Sequence, residues 1–548
     1  MSAWGALTPD LPVSCRYTDP PRPPSPQLPG AHICMSIVSL AGAEAPLVLA
    51  LDLGTSSFRT LVFDARARAI EDSEEQLAHE PRATADGGLD ADAGDLFELL
   101  VGCLDGTLDR IGERAADLAA VASSCFWHSL MGVDGRGEAT TQVYLWADTR
   151  SGPWVHILAK ETDPAALHAR TGCLLHSSYW PAKLRWLRDT NPVAFAASAR
   201  FLSFAEYAAG KLQGDPRVSL SMASGTGLLA VHERVWDADV LDVLDLGEDR
   251  LPEIMAQEEP HAPLGPEWAE RWPALAAIPW FPASGDGACA NAGSGAVHPG
   301  RVALTMGTSG AIRVVLETEG TPLAVPDGLW VYRMDVRRYV AGGALSNGGN
   351  LLAWLAETMT VEFDDETMRD AAAIPPDGHG LTVLPFLAGE RAPGWNDDTA
   401  GVIAGLRLAT RPEDILRAGM EAVAYRFARV YRAVRPLASA DHEIVTNGGA
   451  ILRSPLWLQI MADILGHDLR TLPPATEASG RGAAILALVA IGHLPHPGAA
   501  PDPAEGETVI RWDPEAHGRY GRAIDRQGHL ESLLFPEGTT WQAAYPAG

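Results

Sequence analysis

Asp286 stands between glycines in Ser284-Gly285-Asp286-Gly287, after the apolar Ile278-Pro279-Trp280-Phe281. An acid flanked by residues without side chains can hold its carboxylate free in a cleft, as a general base for a hydroxyl requires. Alone, a Gly-Asp-Gly turn is more often only a turn. Two other stretches suit phosphate: Asp52-Leu53-Gly54-Thr55-Ser56 and Met306-Gly307-Thr308-Ser309-Gly310. Gly54 and Gly307 let backbone approach a ligand closely, and successive N–H groups at such turns form an anion-binding nest. Thr55, Ser56 and Thr308 add hydroxyl donors without bulk. Asp52 can hold Mg²⁺ directly or through water, and Arg59 emerges nearby as a partner for a phosphate oxygen. Singly each turn reads as an ordinary hairpin tip; as a matched pair they point to a phosphate site.

Asn447-Gly448-Gly449-Ala450 and Ser346-Asn347-Gly348-Gly349-Asn350 each precede a helix signal. Gly-Gly turns there admit a flat ring or a phosphate against bare backbone, although most such turns only reverse the chain. Neither matches the G-x-x-x-x-G-K-[ST] loop of P-loop nucleotide sites. Phe126-Trp127-His128-Ser129 and Trp146-Ala147-Asp148-Thr149-Arg150 combine rings with polar groups. Sugars and polyols are gripped in this way, with aromatic faces on C–H groups and Asp148, His128 and Arg150 on hydroxyls. A buried Trp and a surface Asp–Arg pair fit the second pattern equally well.

The elements that must position these residues are short apolar strands and amphipathic helices. Leu47–Leu51 and Thr60–Phe63 flank the first Gly-Thr-Ser turn as a hairpin. Val302–Leu304 and Val314–Leu316 flank the second, about 253 positions later, so a duplicated domain is expected. Leu416, Met420, Val423, Phe427 and Val430 fall on one helix face. Ser454-Pro455 reads as a cap and first helical residue. Strand hairpins alternating with such helices indicate mixed α/β domains. The expected organisation is a Pro-rich, disordered extension over 1–45, a first domain over 46–297, a second over 298–495, and a tail over 496–548 with no assigned role. Met35 is an alternative start.

Of the 548 residues, 47% are hydrophobic and 20% charged, as in a globular protein with sizeable cores. A net charge of −28 argues against nucleic-acid binding. No run approaches the ~20 unbroken apolar residues of a membrane span. The six cysteines form no C-x-x-C pair, which suits a reducing, cytoplasmic compartment.

Taken together, these residues resemble the FGGY carbohydrate kinases of the actin/sugar-kinase/Hsp70 superfamily. The likeness runs from about Leu47 to about Gly492. It is most specific in Phe386-Leu387-Ala388-Gly389-Glu390-Arg391-Ala392-Pro393, leading to Gly401–Leu406. Gly419 departs from the signature, which usually has a larger residue there. The resemblance implies two RNase-H-like (actin-like ATPase) α/β domains flanking a central cleft, with sugar mainly on the first and MgATP mainly on the second. It assigns Asp286 as catalytic base and Asp52 as the Mg²⁺-associated acid. Gly54, Thr55, Ser56, Gly307 and Thr308 become phosphate contacts, and Gly349, Gly448, Gly449 and Ala450 the adenosine pocket. Trp127, His128, Trp146, Asp148 and Arg150 fall on the sugar side.

Within the family the chain looks most like gluconokinases, in its catalytic loop and in Thr308–Arg313 and Asn347–Asn350. Trp127 stands where the family commonly has Met, and the larger ring is expected to reshape the pocket. The expected reaction is ATP-dependent phosphorylation of a sugar or sugar acid, foremost gluconate to 6-phosphogluconate. A xylulokinase-type pentulose kinase is the alternative; a protein-binding ATPase and a sugar-responsive repressor are readings from other classes. A gluconate carboxylate needs local cations or donors, for which Arg150, Lys183 and a protonated His128 are the candidates. The partners expected are ATP, Mg²⁺ and a small sugar, with neither nucleic acid nor membrane, and a homodimer as the assembly to test.

Overall fold

Nearly every residue of β1 (Leu47–Leu53) is buried, which a strand achieves only in the middle of a sheet covered on both faces. A computed structural model describes residues 37–318, 322–473, 476–504 and 507–536. β1 pairs antiparallel with β2 (Ser57–Phe63), Leu53 opposite Phe58, and the Gly54 N–H closes the turn on the Ser57 carbonyl at 3.0 Å. β3 (Leu118–Cys125) lies parallel to β1, and the two-residue β4 (Ser284–Gly285) parallel to β3. The register sets Asp52 and Ser284 on either side of Ser124. Helix α1 (Asp286–Gly293) follows β4 without a loop, so Asp286 emerges at the carboxyl end of parallel strands. Ligands of open α/β sheets bind at that edge.

The second sheet repeats the plan. β5 (Arg301–Met306) and β6 (Gly310–Glu317) form the second hairpin, extended by β7 (Trp330–Arg333) and β8 (Arg338–Leu345). On its other side β5 pairs parallel with β9 (Glu443–Asn447), and β10 (Leu469–Thr471) follows. The orders β2-β1-β3-β4 and β6-β5-β9-β10 correspond strand for strand, as expected of a duplicated unit. Helix α2 (Gly349–Met359) begins behind the second turn, and α3 (Pro412–Val434) buries the face read from Leu416, Met420, Val423, Phe427 and Val430. α4 (Pro455–Leu465) is capped by Ser454, whose hydroxyl accepts the Trp457 N–H.

Three features of the organisation differ from expectation. Residues 37–45 are not part of an unstructured extension: Ile37–Val38 pairs parallel with Ala69–Ile70 at the edge of the first sheet. Residues 1–36, with the Pro-rich run and Met35, lie outside the described residues. Helix α5 (Ala478–Ala490), from the second half of the sequence, packs against the first sheet. Ala483, Ala484 and Ile485 share a core with Val48, Ala50 and Phe63. The segment after 496 is an integral part of the second lobe. Its β11 (Val509–Ile510) pairs with β10, and Tyr520 of α6 (Pro514–Leu534) bonds to Glu421 of α3 at 3.0 Å. Composition hid this, because proline, glycine and charge occupy the connections and the outer helix face. No helix of the described residues is long and apolar enough to cross a membrane.

Candidate active site

The two Gly-Thr-Ser turns open onto one cavity of about 440 Å³. Thr55, Ser56, Trp127, His128, Trp146 and Asp286 line it from the first half of the chain, and Gly307, Thr308, Arg313, Trp330, Tyr332 and Arg391 from the second. Asp286 is the only carboxylate among the described lining residues, and it stands open to the cavity. The Gly287 N–H donates to its Oδ1 at 2.7 Å. Desolvation by the surrounding protein raises the Asp286 pKa, while the charge of Arg313 and the Gly287 bond oppose that rise.

Asp52 lies beneath the first turn. Burial pushes its pKa up to about 6 against the pull of Arg59, with Glu477 and Asp286 adding repulsion and a Ser124 hydrogen bond opposing it. Asp52 is therefore crowded by two further carboxyl groups, with Arg59 as its own compensating cation. Arg59 is paired with Glu477, and lies 3.9 Å from Glu74. The expectation that it meets a phosphate oxygen is corrected: an acid from the start of α5, invisible at the level of motifs, already occupies it.

On the second lobe the turn is buttressed by backbone. The Gly349 and Asn350 N–H groups donate to the carbonyls of Gly307 (2.8 Å) and Thr308 (3.1 Å). Gly448 has φ 104°, and a Cβ there would strike the Met306 backbone. A Cβ at Gly349 would come within 2.8 Å of the Ala450 methyl. Gly307, Gly349, Gly448 and Ala450 thus form one wall of close-packed backbone, with Gly449 exposed beside it.

The sugar-side residues divide. Trp127, His128 and Trp146 reach the cavity. The Trp146 Nε1–H donates to Thr55 Oγ1 at 3.2 Å, and the Arg391 guanidinium covers its ring at 4.3 Å. Asp148 and Arg150 are not among the lining residues. Arg150 bonds to Asp148 and to Asp90 Oδ2 (2.7 Å), and stacks on Tyr144 and Trp186. Asp148 is buried and also accepts the Leu89 N–H at 3.2 Å. Two carboxylates in a desolvated setting hold that guanidinium away from any ligand, so their proposed contact with sugar is corrected. Lys183 is wholly buried, donating to the carbonyls of His128 (3.0 Å) and Leu145 (2.7 Å), and burial lowers its pKa to about 7. It ties together the loops that carry Trp127 and Trp146. His128 places Nδ1 2.5 Å from the Gly225 carbonyl, and burial takes its pKa down to about 3. A carbonyl only accepts, so Nδ1 carries the proton and Nε2 is left as an acceptor. His128 is therefore a neutral hydroxyl acceptor and not a cation for a carboxylate.

The site also contains residues not assigned to it from sequence: Arg313, Arg391, Trp330, Tyr332 and Glu477. Arg313 interrupts the otherwise apolar run Gly310–Leu316, and a charge at a strand position of that kind is itself a signal. Trp330 and Tyr332 are two apart on β7, hence on one face, and stack with centroids 4.2 Å apart.

Residues 47–293 match the N-terminal domain, and residues 302–491 the C-terminal domain, of the FGGY family of carbohydrate kinases. The chain belongs to this family. It is similar to a gluconokinase of Bacillus subtilis (strain 168), 27% identical over 461 residues, with 82% of this chain and 88% of the relative covered. It is similar also to a glycerol kinase of Trichlorobacter lovleyi, 30% identical over 461 residues, covering 81% and 90%. Among solved structures, a gluconate kinase from Lactobacillus acidophilus superposes with a TM-score of 0.80 at 22% identity, covering 90% of this chain and 98% of that one. A ligand-bound xylulose kinase from Lactobacillus acidophilus gives 0.81 at 23%, covering 90% and 99%. The fold is thus the two-domain, actin-like fold of sugar kinases, and this FGGY kinase is a phosphotransferase with ATP as one substrate.

Proposed function

We propose that this kinase transfers the γ-phosphoryl group of ATP to gluconate, giving 6-phosphogluconate, with Asp286 as general base. The observation that carries the reading is the position of Asp286. Among the described residues it is the one carboxylate lining a cavity that both Gly-Thr-Ser turns also line. The Asp286 carboxylate takes the proton of the substrate hydroxyl while that oxygen bonds to the γ-phosphorus and the bond to the β,γ-bridging oxygen breaks, releasing ADP. The base typically contributes ~10²–10⁴ in rate, and positioning with charge stabilisation the larger share.

Thr55, Ser56 and Thr308 supply hydroxyl donors, and the Gly54 and Gly307 turns backbone N–H groups, to the phosphate oxygens. The Gly349–Ala450 wall takes adenosine. Trp127 and Trp146 offer ring faces to substrate C–H groups, and neutral His128 accepts from a hydroxyl. The residues also fit Mg²⁺: Asp52, crowded by Glu477 and Asp286, sits in an excess of negative charge that a divalent cation relieves. When bound, Mg²⁺ neutralises charge on the phosphate oxygens. Gluconate as acceptor draws support from the gluconokinase relatives and from two guanidinium groups on a wall that a neutral sugar does not require.

Asp286→Asn tests the reading. The amide keeps the carboxylate's shape but cannot take a proton. ATP binding by calorimetry should persist while kcat falls at least 100-fold, the lower end of the usual base contribution of ~10². Retention of more than about a tenth of kcat would remove Asp286 from the role.

A further inference from the structure

Arg313 is the one cation on the cavity wall that the protein leaves without a hydrogen-bonding partner. Its Nε and Nη1 are shielded from solvent and bond to nothing among the described residues. A charged group left without a protein acceptor is costly, and this one lines the cavity, where an anionic ligand would give it a partner. Arg391, beside it, is already anchored. Its Nη2 donates to the Leu345 carbonyl at 3.0 Å and its guanidinium lies over Trp146.

The first turn of α1, which carries the base, makes room for Arg313. A Cβ on Gly287 would lie 2.9 Å from Arg313 Nε and 2.6 Å from the Trp127 ring. The guanidinium therefore rests against bare backbone one residue from Asp286. Asp286 is a weak claimant for it, because that carboxylate accepts the Gly287 N–H and no Arg313–Asp286 hydrogen bond or ion pair forms. The basic groups that the sequence offered as ligand contacts have protein partners: Arg59 pairs with Glu477, Arg150 with Asp90 and Asp148, and Lys183 with two carbonyls.

We propose that Arg313 is the specificity-determining residue of this site, binding the carboxylate of an aldonate substrate through the part of its guanidinium that lines the cavity. The inference rests on the sugar-acid reading above and sharpens it. A guanidinium meets a carboxylate with full opposite charge as well as N–H donors, a match that a hydroxyl cannot provide. Discrimination follows from the empty case as well, since a neutral sugar leaves the guanidinium charge unpaired. A phosphate oxygen of ATP has the same chemistry, so the test must separate the two anions.

The experiment compares wild type, Arg313→Met and Arg313→Lys on gluconate and on a neutral ketose such as xylulose, at pH 8, with KM for ATP measured on both acceptors. Arg313→Met should lower kcat/KM for gluconate ~10–100-fold more than for xylulose, as loss of a charge-assisted pair does. Arg313→Lys should recover part of that ratio, and KM for ATP should move by less than the gluconate KM. Calorimetry of gluconate binding without ATP should weaken in parallel. Equal losses on both acceptors, or a rise confined to KM for ATP, would overturn the proposal in favour of a phosphate contact while leaving gluconate as substrate. A wild-type enzyme that prefers xylulose would instead overturn the sugar-acid reading itself.

Discussion

The indole of Trp127 fills the space beside Gly285 in which any other residue would place its Cβ. The ring is held there by its Nε1–H, which donates to the Ser221 carbonyl at 3.0 Å, and by edge-on contacts with Trp330 and Tyr332. Gly225 and Gly287 border the same ring. The β4–α1 junction and the loop that carries Trp127 are thus one packing unit, and the tryptophan at 127 requires glycine at 285.

Gly285→Ala should therefore destabilise the protein by ~1–3 kcal/mol, the usual cost of overpacking, and reduce kcat by displacing Asp286. Trp127→Leu in the same chain should recover much of both losses. Urea unfolding of the two single variants and the double variant checks this. Additive effects would show that ring and glycine are independent.

Thr308→Val removes the hydroxyl at the tip of the second turn and keeps the side-chain volume. The backbone bond from Asn350 N–H to the Thr308 carbonyl is untouched. A fall in kcat of ~10²-fold is expected for loss of one donor to the transferring group. Steady-state kinetics with unchanged kcat and unchanged KM for ATP would make the turn merely structural.

The pH profile should carry an acidic limb from Asp286. Its pKa is raised in the folded protein, so the proton is retained to higher pH than on an ordinary carboxylate, and kcat/KM is lost as pH falls through that raised value. Arg313→Met removes the charge opposing the rise and should move the limb further up. His128, held neutral down to about 3, should contribute no limb near the usual histidine value of ~6.5. A limb at or below the ordinary carboxylate value of ~3.9 would contradict the burial argument.

Tyr520→Phe should cost ~1–3 kcal/mol. The phenol donates to Glu421 Oε1 and accepts from Arg417 Nη2 at 2.9 Å, and both partners are buried. Thermal unfolding reads the loss directly. No change would mean that the Tyr520 hydroxyl adds nothing to the hold of α6 on α3.

What spacing and residue type reveal is local. The hairpins around Gly54 and Gly307, the α3 stripe and the Ser454 cap are each written within a few neighbouring residues, and all are present. The position of α5 was not legible, because an alanine-rich helix fits either sheet and only three-dimensional closure brings Ala484 onto Val48 and Ala50. The roles of the arginines were not legible for a related reason. A motif shows that Arg150 is charged, but not that Asp90, sixty residues earlier, lies within reach of it. Arg313 reverses the case: its importance lies in the partners it lacks, and a missing partner has no spacing.

The central claim is tested most directly by ATP consumption on wild-type protein with gluconate, xylulose, ribulose, glycerol and fuculose, the product being identified by mass and NMR. The account predicts the highest kcat/KM with gluconate, yielding 6-phosphogluconate. A higher kcat/KM with any of the neutral acceptors would contradict it.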